Sequence, residues 1–232
     1  MLKQLTLALA ISSLISLPAF AAPQDKKIAE IVEMLEGNPQ VVDALHESLG
    51  MYIKQQQQFS QLLESSDKYL NDPSHTYMGA ENGDFTLINV TDFSCPYCKK
   101  LDAELEKLVE NYPNIKVVNL YVPLKEGTDS LSSAAYALNV WKNNREKFEQ
   151  VNDLLIAKPG VHNMTSLMKI AQKTGTTDQL NVSDEVKKQL ENNYTMFNAL
   201  GLRGTPALIY GEQVIPGYLP YEQLEDALKE HL

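Results

Sequence analysis

The chain holds only two cysteines, Cys95 and Cys98, in 232 residues. No disulfide framework can be built from them, so the fold must rest on its core. A bridge between them would close so short a loop that it would constrain the unfolded chain little, which argues against a structural staple. Histidine is also scarce: His46, His75, His162 and His231 are the full set of four. A structural zinc site built on the cysteine pair needs two more ligands, and none of these histidines has zinc-finger spacing. Each reads as a surface residue, no motif places one as the base of a cysteine hydrolase, and neither a metal nor a cofactor is expected. Cations are outnumbered, 20 Lys and Arg against 30 Asp and Glu for a net charge of −10, which argues against nucleic acid and mainly supports solubility. The one long apolar run, Leu5 to Leu17, falls short of the roughly 20 residues a membrane span needs, so no membrane insertion is expected.

That run instead reads as a secretory leader. Met1 and Lys3 give a positive start, and Ala19-Phe20-Ala21 is a small-x-small cleavage site, so residues 1–21 are assigned to a signal peptide. No cysteine lies near the cut to carry a lipid. The destination is an oxidising compartment, where a free dithiol persists only if something keeps it reduced or uses it in turnover. Asn-x-Ser/Thr sequons at Asn89, Asn163, Asn181 and Asn193 read as chance matches in an Asn-rich chain.

Residues 22–78 read as a helical extension. Ile28, Ile31, Val32 and Leu35 form one apolar stripe, and Gly37-Asn38-Pro39 suits a helix end followed by a new start. The next stripe runs Val42, Leu45, Leu49, Tyr52, a polar break at Gln56, then Phe59 and Leu63, approximating a heptad. Two readings stand: residues 28–70 join copies into a homodimer or homotrimer, or they fold back on their own domain. Turns are expected at Asn71-Asp72-Pro73-Ser74 and between Gly79 and Asp84.

Residues 79–232 read as the catalytic domain. Phe85 to Val90 alternates as a strand, Lys99 to Asn111 is amphipathic through Leu101, Leu105, Leu108 and Val109, and Asn114 to Val122 is a second strand. Strand, helix and strand make a βαβ unit with parallel strands. From about 128 to 200 every periodic segment is helical. Thr205 to Tyr210 and Gln213 to Ile215 then form a hairpin, and Pro220 to Leu232 a closing helix. The class is α/β with an all-helical insertion.

Cys95-Pro96-Tyr97-Cys98 falls where strand gives way to helix. A cysteine in the first turn meets the positive end of the helix dipole and unpaired N–H groups, which favour a thiolate, so Cys95 is the expected nucleophile. Cys98, one turn deeper, is the natural resolving thiol: attack by Cys95 gives a mixed disulfide, and Cys98 collapses it. Pro96 suits an early helical position and Tyr97 supplies a flat apolar surface.

With Gly204-Thr205-Pro206-Ala207 before a strand, the Asp92-Phe93-Ser94 lead-in and the helical extension, the sequence resembles the thioredoxin-fold disulfide oxidoreductases of the bacterial periplasm. The likeness is to the DsbA-like branch that includes the ScsC proteins and the Com1-type surface antigens. It implies a thioredoxin fold, a redox-active Cys95–Cys98 disulfide, and a cis Pro206 that faces the dithiol, with Thr205 before it. In such proteins that loop pairs with an extended substrate segment, so Thr205, Pro206, Pro96 and Tyr97 are candidate substrate contacts. Many members carry a buried acid six residues before the first cysteine, where this chain has Asn89. Asn cannot take a proton at neutral pH, so proton transfer from Cys98 is left to water or to another group, for which Lys99, Glu104 and Asp92 are the candidates. Tyr97 stands where strongly oxidising members usually have His.

Thr205 and Tyr97 therefore point to a disulfide isomerase or reductase with DsbC- and DsbG-like features, acting on exported proteins with cysteines and served by a membrane redox partner. A DsbA-type oxidase is the alternative direction of the same chemistry. A copper-binding or chaperone-like module is the alternative of another class, since thiolates favour soft ions.

Overall fold

The computed structural model describes residues 23–127 and 131–232. The expected leader, residues 1–21, lies outside the described residues, as does the expected start of the helical insertion at 128. The chain divides into two compact units at Gln55 and Gln56.

In the first unit, helix α1 (Pro23–Gly37) ends where the Asn38 side-chain amide donates to the Met34 carbonyl at 2.9 Å, a short 3₁₀ turn follows at Pro39–Val41, and α2 (Val42–Leu70) begins. Ile28, Val32, Leu45, Leu49 and Tyr52 are all exposed here.

The second unit is built on a five-stranded sheet of order β1-β3-β2-β4-β5, formed by β1 (Thr76–Gly79), β2 (Phe85–Thr91), β3 (Ile115–Tyr121), β4 (Ala207–Tyr210) and β5 (Gln213–Pro216). Strands β2 and β3 pair in parallel, with Asn89 opposite Asn119, and the other pairings are antiparallel. The crossover is α3 (Pro96–Asn111).

Alternation along the strands sends side chains to two faces. Leu87, Val117 and Leu208 pack with Leu101, Leu105 and Leu108 of α3 and with Leu224 and Leu228 of α8 (Tyr221–Leu228). Val90, Leu120 and Ile209 pack with Phe197 of α7 (Asp184–Ala199) and with Leu70, Phe59, Leu62 and Leu63 of α2. Residues 56–78, assigned by sequence to the extension, thus lie in the second unit. The heptad-like stripe divides in the same way: Phe59 and Leu63 pack on the sheet, and Val42, Leu45, Leu49 and Tyr52 belong to the first unit.

Between β3 and β4 the chain forms α4 (Ser133–Asn143), α5 (Phe148–Ala157), α6 (Met164–Thr174) and α7. These helices are punctuated by their caps: Ser132 accepts from the Ala135 amide at 3.1 Å, and Asn163 and Ser166 form a reciprocal capping box. Their core of Tyr136, Leu138, Val151, Leu155, Leu167 and Leu190 extends to Phe93 and Tyr121 at the end of the sheet.

Two expectations are corrected. Thr76–Gly79 is a strand rather than a stretch between turns, because it pairs with β3. His75 and His162 are buried, not surface residues: the His75 ring lies edge-on to Tyr69 and near the Gln189 amide, and the His162 ring meets the Leu155 carbonyl at 2.9 Å. The sequons at Asn89 and Asn193 are buried as well, which leaves no room for a glycan.

Candidate active site

Cys95 is the N-cap of α3 and Pro96 its first residue, where a missing N–H costs nothing. The loop entering the helix is tied by Asp92, whose backbone carbonyl accepts from the Cys95 amide at 2.9 Å and whose Oδ1 accepts from the Ser94 amide at 2.7 Å. The Ser94 hydroxyl donates to Glu126 and accepts from the His162 amide at 3.0 Å, and Glu126 also accepts from the amide and hydroxyl of Ser133. One carboxylate thus fixes the dithiol loop to the helical block.

Both cysteines are free thiols and both are buried. The Cys95 thiol donates to the carbonyl of Thr205 at 3.3 Å, and the Thr205–Pro206 peptide bond is cis. The Cys98 thiol is pushed up to about 12, chiefly by burial and further by Cys95, while the Thr205 side chain opposes the shift by hydrogen bonding to it. Thr205 thus meets the Cys95 sulfur through its backbone carbonyl, and its side chain favours the Cys98 thiolate. Pro96 and Tyr97 are exposed beside them, with the Lys100 ammonium 5.4 Å from the Tyr97 ring centre. The sequence-derived site residues converge on one surface, with Cys98 behind it.

Behind the dithiol the structure departs from the sequence reading. The Asn89 amide donates to Asn119 Oδ1 at 2.9 Å, the Asn119 amide donates to Thr76 Oγ1 at 3.1 Å, and Thr76 donates to the Tyr121 hydroxyl at 2.9 Å. Asn89 is thus one end of a polar row across three strands. Among the acids and bases expected to replace it, Glu104 is engaged by Lys107 and Tyr218, and the Lys99 ammonium donates to the carbonyls of Leu155 and Lys158. Asp92 has both carboxylate oxygens occupied by amides. The group the sequence reading missed is Asp102, one turn beyond Cys98 on α3 and buried, with Oδ2 unpartnered. Burial first, then the charges of Glu106 and Asp153, raise its carboxyl to about 7. Its i, i+4 spacing from Cys98 was the available signal.

Among the described residues no group of three or more His, Cys, Asp or Glu is placed to hold a metal, and no helix is long and apolar enough to cross a membrane.

A vicinal dithiol at a helix start, opposed by a cis-proline loop on a mixed sheet, is a thiol-redox arrangement. The chain belongs to the thioredoxin family, whose sequence profile matches residues 71–230. It is similar to a linker-deletion mutant of Proteus mirabilis ScsC, with 30% identity and a TM-score of 0.71 over 91% of this chain and 96% of that one. It is also similar to a periplasmic thioredoxin-like protein from Salmonella enterica serovar Typhimurium, with 34% identity and a TM-score of 0.65 over 71% and 94%. A curated relative, Na(+)/H(+) antiporter NhaA 1 of Salinispora arenicola, is 26% identical over 103 residues, and the match spans 44% of this chain but only 16% of that protein.

Proposed function

We propose that this chain is a thiol-disulfide oxidoreductase of the periplasm that reduces or isomerises disulfides in exported proteins. The observation that carries the reading is the Cys95 thiol at a helix N-terminus, held against the Thr205 carbonyl with Cys98 buried behind it. Cys95 attacks a substrate disulfide, releasing one substrate thiolate and leaving a mixed disulfide. Cys98 then attacks the Cys95 sulfur, releasing the second substrate thiolate and leaving the Cys95–Cys98 disulfide, so the substrate is reduced as the dithiol is oxidised. A membrane redox partner restores the dithiol. An exposed tyrosine in the middle of the motif and a threonine before Pro206 support the reducing or isomerising direction. The likeness to ScsC and to a periplasmic protein supports the branch and the compartment, with residues 1–21 as the cleaved leader.

Assembly belongs to the same proposal. The exposed apolar side chains of residues 28–53 suit packing against a second or third copy, which would hold several dithiols around one misfolded substrate. Light scattering that gives the mass of one chain, unchanged by removing residues 22–55, would sink this part.

The deciding experiment expresses Cys98→Ser and Cys95→Ser variants with their leader and examines exported proteins for trapped adducts. Cys98→Ser should accumulate mixed disulfides and Cys95→Ser none. The dithiol of the unaltered protein should be reduced at steady state; an oxidised one would reverse the direction to disulfide donation.

A further inference from the structure

We propose that Asp102 is the proton acceptor for Cys98 in the resolving step, and that Glu106, one turn further along α3, carries the proton on to solvent. The inference rests on the redox reading above and names how its second step is completed.

The two groups share a space. Cys98 and Asp102 both line a small cleft of about 10 Å³ together with Thr91, Asp92, Phe93, Lys99, Tyr121 and Ile156, which is room for about one water. Asp102 brings to it a carboxylate nine-tenths buried, whose Oδ2 has no hydrogen-bond partner. A buried, unpaired carboxylate is costly and calls for an explanation. Neither its other ionisable neighbours nor Asn89 accounts for it. Asp92 is tied to the Ser94 and Lys125 amides, the Lys99 ammonium is turned to the Leu155 and Lys158 carbonyls, and the Tyr121 hydroxyl is bonded to Thr76.

The way out follows the helix. Glu106 is one further turn along α3, and both it and Asp153 of α5 are exposed and close enough to raise the Asp102 carboxyl electrostatically. Glu106 is itself raised, by burial and then by Asp153 and Glu110. Cys98, Asp102 and Glu106 thus run at four-residue intervals from the buried thiol to the surface.

The Cys98 thiol gives its proton to the Asp102 carboxylate and the resulting thiolate attacks the Cys95 sulfur. An S–S bond forms between the cysteines while the bond from Cys95 to the substrate sulfur breaks, with the electron pair leaving on the substrate thiolate. Repulsion from a Cys95 thiolate, one cause of the raised Cys98 thiol, is absent at this stage because Cys95 is already bonded.

The test uses the reduced full chain and one equivalent of an aromatic disulfide whose thiolate is coloured. The first release reports attack by Cys95 and the second reports resolution by Cys98. In the unaltered protein the second rate should rise through a single ionisation between pH 6 and 8, and a second rate without that inflection overturns the proposal. Asp102→Asn should lower the ratio of second to first rate by about 100-fold at pH 7 and abolish the inflection. Asp102→Glu should restore part of both. An unchanged ratio and profile in Asp102→Asn would refute the assignment. Failure of the first release would count against the redox reading itself and is thereby distinguished from a fault in the Asp102 assignment.

Discussion

The Cys95 thiol donates a hydrogen bond of 3.3 Å to the carbonyl oxygen of Thr205, which lies 110 positions further along the chain. The contact joins the start of α3 to the loop that enters β4, two segments separated by the whole helical block. Because β4 pairs with β2, the strand that leads to Cys95, the sheet itself sets this separation. The Thr205 side chain makes a separate contribution by favouring the Cys98 thiolate.

Thr205→Val should separate these two roles. The backbone carbonyl facing Cys95 remains, while the hydroxyl that favours the Cys98 thiolate is lost. Hydrogen bonds to charged groups contribute about 1.5–3 kcal/mol, so resolution should slow by about tenfold or more. Mixed disulfide with a test substrate should build up transiently, readable by mass spectrometry after an acid quench. Equal slowing of both steps would mean that the side chain acts only by shaping the loop.

Much of this arrangement was legible in the sequence, and what was missed has a common cause. β2, β3 and α3 are long, periodic segments whose pattern survives in isolation, and the cysteine spacing marks their junction. Thr76–Gly79 has four residues and lies beside Pro73, so only its pairing with β3 makes it a strand. Asp102 follows Leu101 on a helix with charged residues on its open face, and periodicity alone assigns it to water. His75 and His162 were misread for the same reason. Burial of each is supplied by segments distant in sequence, which local pattern does not register. Within α2 the reverse holds: one stripe serves two environments, and the change falls near its polar break at Gln56.

That division of α2 gives a paired prediction. Leu70 is 5% exposed in the sheet-facing core and Leu49 is 53% exposed in the first unit. Leu70→Ala should lower the unfolding free energy of the second unit by about 2–5 kcal/mol. Leu49→Ala should leave that transition within about 0.5 kcal/mol and instead reduce the solution mass, if copies pack through this stripe. Urea unfolding followed by the single tryptophan, Trp141, whose indole donates to the Pro73 carbonyl within the second unit, reads the first effect.

Glu126 makes a more local test, because it accepts from the Ser94 hydroxyl and from the amide and hydroxyl of Ser133. Glu126→Ala leaves these donors without that acceptor, and Ser94 and Ser133 are both buried. The cost should be about 1–3 kcal/mol in unfolding free energy, with a slower reaction of Cys95 toward a disulfide. Glu126→Gln keeps one acceptor oxygen and should lose less on both measurements. If the alanine variant were as stable and as reactive as the parent, the loop would be held by the Asp92 bonds alone.

The pH dependence of stability follows from Asp102. Its carboxyl is raised to about 7 in the folded chain, against about 3.9 for an unperturbed Asp. Between those values the native state holds a proton that the unfolded state has released, so this group's contribution is present below about pH 4 and is lost as the pH rises to about 7. Asp102→Asn removes the ionisation while keeping the shape. The variant should therefore match the parent near pH 4 and become more stable by about 1–4 kcal/mol above pH 7, even though resolution by Cys98 is slowed. Taking the difference between the two proteins at each pH removes the titration of every other carboxylate. A variant less stable than its parent at pH 8 would show that the ionised carboxylate has partners which lower its cost, and would remove the strain that makes Asp102 ready to take a proton.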